Sequence, residues 1–189
     1  MKPVANGRAL LLLGGIPALL FLSLVAVRLL GLLIPFVVPT DSMTPAIKSN
    51  DRILVEGFTF LSRKPRRGDI VCFKSDRLGS LPPGITYLKR IAGMPGETLR
   101  LTDDKLYVND VRVVLSEATR EIHAPAGPGL QYLARNSATV TVPQGCYFVL
   151  GDHTANSMDS RHFGFVPAAN IRARAWLCFW PPTQIGRVK

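Results

Sequence analysis

Pro39-Thr40-Asp41-Ser42-Met43-Thr44-Pro45 is the stretch around which the chain is organised. It begins four residues after Pro35, where a long apolar N-terminal run gives way to polar sequence. Pro39 and Pro45 restrict the backbone on both sides of Ser42. A serine hydroxyl is a weak nucleophile until a base takes its proton. The rest of the chain is therefore read for that base. On its own, the Thr40-Asp41-Ser42 triplet also reads as a plain turn between two prolines.

Upstream, Ala9–Val27 is nineteen residues without a charge, close to the roughly 20 that span a bilayer. Lys2, Arg8 and Arg28 are the only charged residues among the first 40. The run predicts one membrane-spanning helix near Ala9–Leu30, with Arg28 reaching the far interface. The basic residues ahead of it predict a cytoplasmic N-terminus and an external C-terminal domain. A cleaved secretory signal fits less well, because the run is long and Arg28-Leu29-Leu30 is no small-residue cleavage site. The expected organisation is an anchor over residues 1–34 and a domain over residues 35–189. About 100–140 is expected to form a smaller lobe or variable insert.

The 189 residues carry 23 Lys+Arg against 13 Asp+Glu, a net charge of +10. The basic residues are dispersed and no nucleic-acid motif is present, so the charge points to lipid. Cys72, Cys146 and Cys178 lie far apart without CxxC spacing, which argues against zinc and for buried thiols. One disulfide remains open in an oxidising compartment.

Downstream of Ser42 the pattern is mostly β. Strands are expected at Phe36–Val38, Asp51–Val55, Asp69–Phe73, Thr86–Ala92, Glu97–Leu101, Lys105–Val108, Ala138–Val142, Cys146–Leu150 and Ile171–Phe179. Asn109-Asp110 is a hairpin signal. Phe58–Arg67 reads as a basic loop, residues 116–137 as an extended loop or lobe, and Gly151–Gly164 as a polar loop. In the last strand, alternation sets Ile171, Ala173, Ala175, Leu177 and Phe179 inward against Arg172, Arg174, Trp176 and Cys178.

The candidate base is Lys89. Alternation in Thr86–Ala92 puts Tyr87, Lys89 and Ile91 on one face, and Leu88 and Arg90 on the other. Packing on the first face would strip water from the amine and lower its pKa. A neutral lysine can take a serine proton. The plainer reading is a lysine reaching solvent beside Arg90. Gly151–Gly164 offers two rivals: a triad of Ser42 with His153 or His162, and a metal site from Asp152, His153, Asp159 and His162. Neither has a recognised spacing. The plain reading there is a solvated loop tied by Asp159 and Arg161.

Ser42-Met43-Thr44-Pro45, Asp51–Val55, Lys89–Glu97 and Gly151-Asp152 through Asn156–Gly164 occur in this order. Together they resemble the type I signal peptidases, membrane-bound serine proteases with a serine–lysine dyad. The likeness runs from about Phe36 to the C-terminus and is weak at 100–140. It implies a mostly β catalytic domain on a single N-terminal transmembrane helix, outside the plasma (inner) membrane. It implies Ser42 as nucleophile and Lys89 as general base. The Ser42 peptide N–H and the Thr40 hydroxyl would form the oxyanion hole. Ser157 would hydrogen-bond and orient the lysine, with Asp159, Arg161 and Arg90 as support. Phe36, Val38, Pro39, Met43, Tyr87 and Leu88 would line shallow pockets for small side chains before the cut bond. The implied substrates are secretory preproteins, with no cofactor and no metal. Thr40 stands where many relatives carry serine, and His153-Thr154-Ala155 replaces a more polar and charged triplet. Trp176 or Trp180 would enter the lipid interface. Competing readings are a specialised pilin- or conjugation-type processing peptidase, and an anchored β-domain that binds without catalysis.

Overall fold

Short runs of β-branched and aliphatic residues between turn residues become strands through most of the chain. In order these are β1 (Leu33–Val37), β2 (Arg52–Glu56), β3 (Ile70–Lys74), β4 (Thr86–Gly93), β5 (Thr98–Thr102) and β6 (Lys105–Val108). Next come β7 (Val111–Arg112), β8 (Val140–Thr141), β9 (Cys146–Leu150), β10 (Val166–Pro167), β11 (Ile171–Trp180) and β12 (Gly186–Arg187). The computed structural model describes residues 15–23, 25–26, 33–79, 81–123, 132–133 and 139–188. Of the expected span at Ala9–Leu30, residues 9–14, 24 and 27–30 lie outside these. Residues 15–23 are helical. Among the described residues no helix is long and apolar enough to cross a membrane.

Two antiparallel sheets carry the described chain. The larger runs β1-β2-β11-β3-β4-β9-β10, with β12 on β11, and the smaller runs β7-β6-β5-β8. β4 links them. A register shift between Ile91 and Gly93 bends its end toward the second sheet. A Cβ at Gly93 would lie 2.8 Å from a Leu99 methyl and 3.0 Å from one of Val142, so the crossing needs glycine. Alternation on β4 sends Leu88 into a core with Val38, Met43, Ile47 and Ala173. Tyr87 and Ile91 pack instead with Phe73, Val149 and Phe163. The second sheet closes over Leu99, Leu101, Leu106 and Phe148. Its hairpins turn through Asp103-Asp104 and Asn109-Asp110, all with φ between 48° and 63°. Asn and Asp tolerate that left-handed conformation better than most residues.

Three expectations are corrected. Phe58–Arg67 is not wholly loop, because α1 (Thr59–Ser62) makes one turn there. Gly151–Gly164 likewise ends in α2 (Ser160–Phe163), started by Asp159 Oδ1 accepting Arg161 N at 3.2 Å. In β11 the alternation holds through Ala173 and Ala175 and then reverses. Register shifts between Ala175 and Leu177, and between Cys178 and Trp180, turn Cys178 into the core. Of the extended loop at 116–137, residues 117–119 form a 3-10 turn, and 124–131 and 134–137 lie outside the described residues.

All three cysteines are free thiols. Burial pushes Cys72 up to about 12 and also raises Cys178. Thiolate, not thiol, attacks disulfide reagents. In the native state Cys146 should therefore react first with a chromogenic disulfide, and Cys72 and Cys178 only on unfolding. Thiol release measured against denaturant checks this.

Candidate active site

β1 does not lead straight into β2; the chain bulges outward over residues 39–50 and returns. Asn50 N donates to Val38 O at 2.7 Å and Val38 N to Asp51 O at 3.0 Å, closing the loop at its base. Asp41 Oδ1 accepts Ser49 N at 3.1 Å, and Asp51 Oδ2 accepts Lys48 N at 2.8 Å. Met43 and Ile47 are fully buried beneath it. The Ser42 backbone is thus held between a core residue on one side and a carboxylate staple on the other.

β4 brings Lys89 to this loop. The Lys89 ammonium donates to Ser42 Oγ at 2.7 Å and to Leu88 O at 3.0 Å. Only 3% of the residue is exposed. Burial pulls its pKa down from 10.5 to about 8. Asp159 and then Asp152 oppose this, and Arg161 reinforces it. Thr40 Oγ1 lies 3.2 Å from Ser42 Oγ, on the solvent side.

The loop after β9 approaches from behind. His153 N donates to Ser42 O at 3.1 Å. This close approach requires Gly151, where a Cβ would overlap Ser157 Oγ and lie 2.5 Å from Ser42 O. Asp159 is fully buried and grips Arg161 through Nε at 2.9 Å and a terminal nitrogen at 2.8 Å. Asp159 Oδ2 also accepts Gly151 N at 3.0 Å. Arg161 continues outward, donating to His123 O at 2.9 Å and Thr154 O at 2.7 Å. Arg90 forms a second buried fork, to Asp152 at 2.8 and 2.6 Å, and donates to Gly68 O at 2.9 Å. A bidentate guanidinium–carboxylate pair satisfies both partners in a low-dielectric setting.

The structure therefore brings together Ser42, Lys89, Thr40, Asp159 and Arg161. Arg90 sits one residue from Lys89, but its carboxylate is Asp152, a pairing that strand alternation did not reveal. The clue was available, since an arginine in a strand covered on both faces needs an acid. The Ser157–Lys89 hydrogen bond is not made. Ser157 Oγ is buried without a hydrogen-bond partner among the described residues, while the Lys89 bonds are to Ser42 and the Leu88 carbonyl. His153 and His162 each leave Nδ1 buried and unbonded. Neither imidazole bonds to Ser42, and no metal-holding group of His, Cys, Asp or Glu occurs among the described residues.

In front of Ser42 lies a cleft of about 460 Å³. All six expected lining residues, Phe36, Val38, Pro39, Met43, Tyr87 and Leu88, border it. Ile85, Thr86, Asn156 and Met158 also border it and were not foreseen. Tyr87 is fixed by stacking on Phe73, with ring centroids 5.8 Å apart.

With this geometry in place, comparison with known proteins is informative. The model of the signal peptidase family, peptidase S26, matches residues 12–180. A probable signal peptidase I-2 of Synechocystis is 35% identical over 150 residues, which are 79% of this chain and 64% of that protein. Signal peptidase I of Leptolyngbya laminosa is 33% identical over 154 residues, covering 80% of this chain and 70% of the relative. The crystal structure of a signal peptidase I from Enterococcus faecalis aligns with a TM-score of 0.43 at 34% identity, covering 59% of this chain and 97% of that one.

Gly151→Ala should separate the rear loop from Ser42. We expect a loss of at least about 2 kcal/mol of unfolding free energy. Asp152→Ala should cost about 3–5 kcal/mol by leaving the Arg90 guanidinium buried without its carboxylate. Glu117→Ala, at an exposed pair with Arg120, should change stability by less than about 1 kcal/mol. Urea melts of the three variants check the ranking.

Proposed function

The chain belongs to the signal peptidase family, peptidase S26, and from that premise we propose that it is a serine endopeptidase removing N-terminal signal peptides from secreted preproteins. The observation that carries the mechanism is the 2.7 Å contact between a buried lysine and Ser42. At neutral to alkaline pH a fraction of Lys89 is an uncharged amine. It takes the Ser42 proton as Oγ attacks the scissile carbonyl carbon. The oxyanion that forms is met by the Ser42 peptide N–H and the Thr40 hydroxyl. The Lys89 ammonium then returns the proton to the leaving amine, and an ester to Ser42 remains. Water attacks that ester, Lys89 takes its proton and returns it to Ser42 Oγ, and the signal peptide is released as an acid, the mature chain having already left as the amine. Asp159, Arg161 and Arg90 serve as scaffold to this pair.

Two strand edges border the cleft. Thr86, Tyr87 and Leu88 pair with β3 on one side, whereas β9 meets β4 only from Arg90 onward. β1 pairs with β2 alone. An extended peptide laid between these edges would find backbone partners on both. The large apolar side chains of Phe36, Val38, Met43 and Leu88 then leave space for small residues before the bond.

We also propose that the chain ahead of β1 forms a single membrane anchor with a cytoplasmic N-terminus. The expected boundary at 34/35 moves back by at least two residues, since Leu33 and Ile34 already pair with β2. The domain from β1 onward would then be the catalytic domain on the outer side of the plasma membrane. An apolar signal segment remains in the bilayer, so an anchored nucleophile meets its bond at high effective concentration.

Cleavage of a model preprotein by the detergent-solubilised full chain tests this reading. Ser42→Ala and Lys89→Met should each abolish cleavage, and full activity in either would defeat the proposal. His153→Ala and His162→Ala should stay active. Thr40→Ala should lose about 10²–10³-fold in kcat, with Thr40→Ser restoring much of it. The rate should rise with pH through about 8, as Lys89 loses its proton. The linkage runs the same way for stability. A lysine whose pKa is lower folded than unfolded destabilises the fold most below about 8, and that penalty fades as pH rises toward 10.5. Lys89→Met should therefore be at least as stable as the parent at pH 7, by an amount on the order of 3 kcal/mol at most.

A further inference from the structure

β4 can hold an extended peptide along only part of its length. β3 pairs with it through Thr86–Arg90, whereas β9 joins the other edge at Arg90, opposite Leu150. The edge left open for a substrate is therefore Thr86–Leu88. Ser42 Oγ lies 2.7 Å from Lys89 Nζ, where that open edge stops. A peptide paired there, with its small residues over Leu88, Val38 and Phe36, brings the bond to be cut to the end of the edge. The residues after the bond have no strand to pair with. What they meet is the chain that leaves β9, the rear loop from Gly151 to Asp159.

This loop turns its side chains alternately inward and toward the cleft. Ser157 and Asp159 are buried, while Asn156 and Met158 are exposed and both border the cleft. The backbone beneath them is held fast. Asp159 takes the Gly151 amide and the Arg161 fork, and Asn156 N donates to His153 O at 2.9 Å. Met158 is 51% exposed and belongs to none of the three apolar cores, so it adds little burial to the fold. An unbranched thioether adapts to side chains of different shape. The Asn156 side-chain amide makes no hydrogen bond among the described residues. Such an amide can both donate to and accept from a peptide backbone.

We infer that Asn156 and Met158 form the subsite for the residues that follow the cut bond. Met158 packs on the first of these side chains, and the Asn156 amide bonds the main chain beside it. The inference rests on the peptidase reading above and extends it to the part of the substrate that leaves as the amine. An apolar wall there favours an apolar first residue and disfavours a carboxylate, which would lose water against the thioether.

Two measurements on the full chain in detergent test this. The first is cleavage of model preproteins that differ only in the first residue after the bond. The parent should prefer leucine to glutamate there by about tenfold in kcat/KM. Met158→Lys should cancel or reverse that preference. The ratio for alanine against valine just before the bond should keep its parental value. Asn156→Ala should raise KM more than it lowers kcat. An unchanged leucine-to-glutamate ratio in Met158→Lys, or an equal shift at the residue before the bond, overturns the inference.

The second measurement needs no turnover. In Ser42→Ala combined with Met158→Cys, alkylation of the new thiol by iodoacetamide is followed by mass spectrometry, which separates it from Cys72, Cys146 and Cys178. A synthetic peptide that spans the bond should slow this alkylation severalfold at saturation. The same peptide ending at the residue before the bond should not. Equal slowing by both peptides, or slowing by neither, overturns the subsite. Parental cleavage that is lost in Ser42→Ala reports on the peptidase reading by itself, so the two can fail separately.

Discussion

An amine kept out of water is the constraint on which the site depends. An ammonium buried to the extent of Lys89 is costly unless it is paired, and the ordinary remedy is a carboxylate in direct contact. Here two carboxylates are near enough to raise its pKa, yet neither bonds it. Each is occupied instead by a guanidinium, Asp159 by Arg161 and Asp152 by Arg90. The forks consume the lone pairs that would otherwise turn toward the lysine. Burial therefore outweighs the attraction, and the amine is left with a serine hydroxyl and a main-chain carbonyl as partners. The two arginines thus bear on the protonation of Lys89 by denying it counter-ions.

The same forks hold the polypeptide together. Asp159 accepts the amide of Gly151, and Arg161 spreads to the carbonyls of His123 and Thr154. Arg90 reaches back to the Gly68 carbonyl ahead of β3. The rear loop can then press against the Ser42 carbonyl only because Gly151 has no side chain. Loosening any one of these contacts would shift the loop, the carboxylates and the electrostatics of Lys89 together, since none of the groups has room to move alone.

Much of this was legible in the sequence, and the misses have physical causes. The strands were visible because their aliphatic runs end at turn residues, and β4 because its alternation continues into Gly93. Lys89 could be placed on a face, but not beside a particular serine, since the contact spans 47 residues of chain. The family motifs supplied that pairing. Alternation misread Cys178 because a bulge in β11 inverts the phase, and bulges leave little trace in hydropathy. α2 was hidden because its four residues are too few for a helical period; only the capping Asp159 announces it. Asp152 stood among nine polar residues of one loop, and nothing in a linear pattern says which of them faces Arg90. The N-terminal run speaks plainly in hydropathy, but residues 9–14, 24 and 27–30 of the expected span lie outside the described residues.

The two histidines show how main chain and side chain can be separated at one position. His153 meets Ser42, but through its peptide N–H, whereas its imidazole Nδ1 is buried without a hydrogen bond. The Oγ of Ser42 is already in contact with Lys89 and Thr40, so no route to a ring nitrogen is needed for activation. What the position requires is a backbone amide at a fixed height above Gly151, and any residue except proline supplies that. The departure His153-Thr154-Ala155 from the more polar and charged triplet is intelligible on this ground. Thr154 is used through its carbonyl, which takes Arg161, and through its hydroxyl, which accepts the His123 amide. A loop that works mainly through its backbone can exchange side chains while the serine beneath it stays where the amine can reach it.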